Sequence, residues 1–181
     1  MGAKHSDVYA FWGEPIAAIK QRIAEVKAAA PPGKSFGFSV SLRPILAETE
    51  DKAWEKANYI LSKVKEKRAK AGIQLPTGVS ARPQAVGSRR LLDFAQESEI
   101  HDKRLWTPIA AATGAYGNTT ALVGTPEQVA EALVDYYDAG VTTLLIRGFD
   151  PVEDALAYGR DVIPLVRKEV QRREQQTATV A

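Results

Sequence analysis

Apolar residues fall into two rhythms along this chain. Residues 7–12, DVYAFW, form a short β-prone run bounded by turn residues, which predicts a strand. After GEP, Ile16, Ile19, Ile23 and Val26 recur at steps of three and four, the spacing that lines one side of a helix. Pro15 suits the first turn of that helix, where its preset φ helps and its missing N–H has no partner to lose. The run FGFSVSLRPIL (36–46) predicts a second strand. Thr49 then caps a long helix that turns Ala53, Trp54, Ala57, Leu61 and Val64 toward a core, with Gly72 closing it. The opposite side, KVKEKRAK, reads as a solvated face.

Residues 73–120 break the rhythm with several prolines and glycines and one short helical candidate, GSRRLLDFA. A segment this long is a functional insertion or a disordered one; its aromatics and the apolar LWTPIAAAT favour packing. Order returns in GTPEQVAEALVDYYDAG. Thr125, Pro126 and Gln128 spell a capping box, Val129, Leu133 and Tyr137 predict the inner face, and Gly140 ends the helix. VTTLLI (141–146) reads as a strand buried on both sides. Asp150 caps a last helix with Val152, Ala155, Leu156, Gly159, Val162, Ile163 and Val166 inward and Pro164 as a kink. Residues 171–181 read as a tail that frays.

The order β-α-β-α-insertion-α-β-α predicts one α/β domain, residues 1–181, with about three parallel strands. Composition changes this picture mainly by exclusion. The chain has 181 residues, 45% of them hydrophobic and 25% charged, and a net charge of +2. Its basic residues are spread along helices, so no nucleic-acid surface is expected. With no cysteine, disulfides, thiolate nucleophiles and thiolate-bound metals are excluded. The two histidines, His5 and His101, lack ligand spacing, so no metal site is expected. No apolar run of membrane length and no signal peptide is legible, which leads to the expectation of a cytoplasmic protein without a membrane role.

Ligands of parallel α/β folds meet the carboxyl ends of the strands. Trp12, Glu14, Arg43, Arg147 and Phe149 all fall at or just after such ends, and together they predict a site there.

The stretches DVYAFWGEP, FGFSVSLRPILAETEDKAW and TALVGTPEQVAEALVDYYDAGVTTLLIRGFDPVEDALAYGRDVIPLVR resemble the C-terminal half of bacterial luciferase-like flavin-dependent monooxygenases, in particular the alkanesulfonate monooxygenase group. The resemblance runs from about residue 5 to residue 170. It implies a partial (β/α)8 TIM barrel. Residues 7–12 would be strand six, 36–46 strand seven, 141–147 strand eight, and 73–120 the late insertion. The first five units of the barrel would lie outside this chain. On this resemblance the cofactor is reduced FMN supplied by a separate flavin reductase, the co-substrate is O2, and the substrate is a small organic molecule, a sulfonate among the options. The chain alone would be inactive, and would form a homo-oligomer or join a missing N-terminal half. The alternatives are a deazaflavin-dependent reductase of the same superfamily, or a non-catalytic fragment or module that completes another barrel.

The resemblance also assigns residues. Arg43 stands where alkanesulfonate monooxygenase has a site histidine, and a guanidinium there suits a sulfonate, a carboxylate or an oxygen anion; a strand-end ion pair is the other reading. Ser41 replaces the relative's arginine two residues earlier. Phe149 takes the place of a site tyrosine, and Arg147 reaches substrate or pairs with a carboxylate. Trp12 and Glu14 would lie by the flavin edge, unless Trp12 is a core aromatic and Glu14 complements a helix N-terminus. Arg90 matches an arginine of the insertion and would act as an anion-binding lid residue; Arg89 beside it has the weaker case. A second lid arginine of the relative falls near Ala115, leaving Tyr116 and Asn118 as local candidates.

Overall fold

The computed structural model describes residues 2–73, 83–117 and 120–180. Asn118 and the segment 74–82 lie outside them. The chain opens with a single helical turn, α1 (Gly2–His5), then β1 (Val8–Trp12), α2 (Ile16–Ala28), β2 (Gly37–Leu46) and α3 (Glu50–Lys70). The insertion supplies α4 (Val86–Glu97), a two-residue ribbon of β3 (Ile100–His101) and β4 (Leu105–Trp106), and α5 (Pro108–Thr113). There follow β5 (Ala121–Gly124), α6 (Pro126–Asp138), β6 (Thr143–Ile146), α7 (Pro151–Ala157), a π-helical turn (Tyr158–Val162) and α8 (Ile163–Val180).

β2 is the centre of the sheet. β1 pairs with it in parallel from Val8↔Gly37 to Trp12↔Ser41, and β6 from Ser39↔Thr143 to Leu42↔Ile146. β2 outlasts both. Beyond them β5 pairs in parallel from Arg43↔Ala121 to Leu46↔Gly124. Gly37 donates to Asp7 O at 2.9 Å and Arg43 to Thr120 O at 3.1 Å. Alternate residues of a strand use the same edge, so β5 takes up the edge that β1 leaves. The result is a curled α/β half-barrel.

Alternation divides the sheet into two unlike faces. Phe11, Phe38, Val40 and Leu42 are buried against Ile19, Ile23 and Val26 of α2, Val129, Leu133 and Tyr136 of α6, Val162 of the π-helical turn, and Leu165 and Val166 of α8. The other, concave face carries Val8, Ala10, Ser39, Ser41, Thr143 and Leu145. Val8 is 56% exposed and Leu145 54%. A second core lies on the β2 extension, where Ile45, Ala121 and Val123 meet Ala53 and Ala57 of α3 and Trp106 and Ile109 of the insertion.

Five features differ from the sequence expectation. β5 is a fourth parallel strand, fully buried; its four residues sit directly before the capping box and look like a lead-in to the helix. β6 is covered on one face only, with alternating exposed and partly buried residues, because no other element described here packs on the concave side. On α6 the buried tyrosine is Tyr136, not Tyr137, since its hydroxyl reaches a buried carbonyl. On α7, Val152 and Leu156 are 67% and 64% exposed, while Asp154 and Tyr158 turn inward. The π-helical turn then re-phases the chain so that Val162 is fully buried. It ends just before Pro164, which cannot donate back to residue 160. Residues 171–180 continue α8, where Arg173 pairs with Asp138 at 2.9 Å and also with Glu169.

Candidate functional site

The predicted residues gather in two clusters at the carboxyl ends of the strands. The first is built on the β2 extension. Because β2 outruns β6, Arg43 stands level with the turn after β6, and Arg147 N donates to Leu42 O at 3.2 Å. Arg43 Nη1 donates to Gly148 O at 2.9 Å, and its guanidinium lies over the Phe149 ring, 5.0 Å from the centroid. Such stacking keeps the donor fork in one plane and direction. Burial, then the neighbouring Arg147 charge, lower the Arg43 pKa, while the Tyr158 phenol opposes them. Arg147 itself is exposed.

What holds that turn is Asp154. Its Oδ2 accepts from Phe149 N at 2.8 Å and Asp150 N at 2.9 Å, and its Oδ1 lies 3.5 Å from Lys56 Nζ. Asp150 performs the expected cap, accepting from Val152 N and Glu153 N. The Tyr158 hydroxyl donates to Pro44 O, tying the π-helical turn to β2. Burial pushes the Tyr158 pKa up, with Asp154 adding to it.

The second cluster surrounds the turn after β1. Trp12 is partly buried, packed by Leu91, Ala110 and Ala115 of the insertion. Gly13 has no room for a side chain: a Cβ would lie 2.4 Å from Thr120 Oγ1 and 2.5 Å from Leu42 Cδ2. Glu14 is 0% exposed. Its Oε1 accepts from Arg22 Nη1 at 2.9 Å, and its Oε2 accepts from Arg90 Nη2 at 2.7 Å and Nε at 3.0 Å. Glu14, more than Glu25 and Asp93, raises the Arg90 pKa. Both Glu14 oxygens are thus taken up by arginines, and Arg90 is engaged as an ion-pair partner. A cleft of about 490 Å³ opens beside this cluster, lined by Trp12, Glu14, Arg22, Gly87 and the concave side of β1.

Tyr116 joins neither cluster; it is 65% exposed after α5. Arg89 is partly buried on α4. Among the described residues no group of three acidic or histidine side chains could hold a metal ion, and no helix is long and apolar enough to cross a membrane. Sequence reasoning missed Asp154, Arg22, Tyr136 and Asp102. The first looks like an ordinary acidic residue of a helical first turn. Arg22 looks like an ordinary basic residue of a helix, although its partner Glu14 is only eight residues away. Tyr136 and Asp102, which bonds Ile16 N, act across 122 and 86 residues.

A family model described as luciferase-like monooxygenase matches residues 1–143. Solved structures share the fold. A riboflavin lyase determined with modified FMN and riboflavin superposes with a TM-score of 0.65 at 19% identity, over 93% of this chain and 40% of its own. EDTA monooxygenase from Chelativorans sp. BNC1 gives 0.58 at 18%, over 93% and 43%. Long-chain alkane monooxygenase gives 0.57 at 18%, over 96% and 38%. The chain thus spans about 40% of the length of the solved relatives it matches.

Proposed function

The chain belongs to the luciferase-like monooxygenase family, and on that premise we propose that it is the C-terminal part of an FMN-dependent monooxygenase of the alkanesulfonate type. The proposed reaction uses reduced FMN from a separate reductase and O2 to oxidise a small organic substrate, a sulfonate being the class favoured, in the cytoplasm.

The observation that carries this reading is the placement of Arg43. Its guanidinium is fixed on Gly148 O and on the Phe149 ring, with a second guanidinium, Arg147, close enough to lower its pKa. Two cations directed to one strand end suit an anionic substrate group. The concave face fits a flat ring. A filled barrel interior is packed with bulky branched side chains, whereas Ala10, Ser39 and Ser41 leave that volume open here. Trp12, Ala10 and Ser41 would hold the ring side of FMN. Reduced FMN supplies the electrons that activate O2. Arg43 would orient the substrate anion, Arg147 would add charge at the mouth, and Phe149 would keep water from that side. The bare concave face supports a need for further β/α units, from an N-terminal half or a second copy. A non-catalytic module is the reading left if that need is all the face expresses.

The test is kcat/KM with sulfonates of varied chain length in the completed barrel, supplied with reduced FMN and O2. Arg43→Ala should lower it roughly 10- to 150-fold, the contribution of a fixed charged hydrogen bond, and Arg89→Ala by far less. Equal effects would remove Arg43 from the site, and failure to bind reduced FMN would leave the module reading.

A further inference from the structure

The turn after β1 is gripped by the insertion. Glu14 is fully buried, and each carboxylate oxygen carries an arginine: Arg22, from the helix that follows it, on Oε1, and Arg90, from α4, on Oε2. The Glu14 carbonyl accepts from the Tyr136 hydroxyl at 2.9 Å. Two residues on, Ile16 N donates to Asp102 Oδ2 at 2.8 Å. Asp102 comes from the turn between β3 and β4, where its φ is 51°. α4 crosses Trp12 at Gly87, where a Cβ would lie 3.7 Å from the indole.

A buried carboxylate needs donors on both oxygens, and removing one cation strands part of the charge away from water. Arg22 satisfies only Oε1, so α4 cannot lift from the barrel without orphaning Oε2. We propose that Glu14 is a positioning residue that acts through Arg90: it holds α4 over Trp12 and thereby fixes the indole at the mouth of the cleft. The meaning of this for turnover rests on reading Trp12 as a flavin-side residue; the physical claim does not.

The experiment uses the full chain without flavin. Arg90→Met keeps the Glu14–Arg22 pair. Hydrogen exchange is followed over the 86–97 helix, together with the fluorine resonance of 5-fluorotryptophan at position 12, assigned with Trp12→Phe. Exchange in α4 should rise roughly 10- to 100-fold, the effect of losing a charged hydrogen bond on local opening. The Trp12 resonance should move, while β2 and α6 amides stay as they are. Glu14→Gln should act on α4 in the same sense, and Arg90→Lys, which keeps the charge but loses the fork, should fall between. Unchanged α4 exchange and an unmoved Trp12 resonance in Arg90→Met would overturn the proposal. So would uniform acceleration over β2 and α6, or an Arg90→Lys chain no different from Arg90→Met. If reduced FMN then failed to bind the completed barrel, the flavin reading would fall and this result would stand.

Discussion

Asp154 occupies the space in which a side chain on residue 148 would begin. A Cβ on Gly148 would lie 2.1 Å from Asp154 Oδ2 and 2.2 Å from Asp154 Cβ. The close approach lets one carboxylate reach two successive backbone N–H groups, of Phe149 and Asp150. The turn so shaped presents Gly148 O to Arg43. A residue without catalytic chemistry of its own thus sets the direction of one proposed to have it.

Gly148→Ala should therefore destabilise the chain by about 1–3 kcal/mol, the usual cost of overpacking a closed site. Part of the clash is with the Cβ of Asp154, which helix α7 fixes, so Asp154→Ala should not rescue it. Urea unfolding of the two single variants and the double variant measures this. Full rescue in the double would show that only the carboxylate tip is in the way.

Tyr136 carries a second such dependence. Its ring is buried, its hydroxyl serves the Glu14 carbonyl at 2.9 Å, and burial pushes its pKa well up. Tyr136→Phe leaves that carbonyl without its donor, and should cost about 1–3 kcal/mol, the penalty of an unsatisfied buried polar group. Thermal unfolding with circular dichroism reads the loss; an unchanged midpoint would mean that the carbonyl is satisfied another way.

The ribbon of the insertion is tied down by Arg104. It donates to both Glu50 oxygens, at 3.0 and 3.3 Å, and to Val123 O at 3.2 Å, while Gln128 Nε2 reaches Glu50 at 2.8 Å. The Arg104 hydrogen bonds first, then Gln128 and Trp54, bring the Glu50 pKa from 4.5 to about 2. A depressed carboxylate contributes stability above its unfolded pKa and loses it as pH falls through the folded one. The stability gap between wild type and Glu50→Gln should be constant near neutrality and close between pH 4.5 and about 2. Denaturant midpoints across that range check it. A gap that persists at the acid end would show that the charge is not its source.

Periodicity made the helices and three barrel strands legible, because a core on one side forces apolar residues to recur at helical or alternating steps. The capping box of Thr125 and Gln128 is present as read. Other features are decided by contacts that sequence spacing does not encode. β5 is too short to show a period, and it gains its identity only from the β2 extension. The burial of Glu14 depends on Arg90, 76 residues away. The strand-end rule placed Arg43, Phe149, Trp12 and Glu14 at strand ends, where they lie, yet it could not show that Glu14 is consumed by ion pairs.

The two faces of β6 give the sharpest contrast between adjacent positions. Leu144 packs on the main core, while Leu145, next in sequence, is 54% exposed on the concave face. Together with Val8 and the open edges of the sheet, Leu145 forms a surface that invites association. Leu145→Asp should change the unfolding free energy by no more than about 0.5 kcal/mol, as at other exposed sites. It should also reduce self-association and the binding of hydrophobic dyes. Leu144→Asp places a charge in a covered core, and should cost several times more or prevent folding. Light scattering and urea unfolding of the two variants, side by side with wild type, decide the matter. Equal destabilisation would mean that the concave face is covered in solution by a second copy, and unchanged scattering in Leu145→Asp would remove this face from any association.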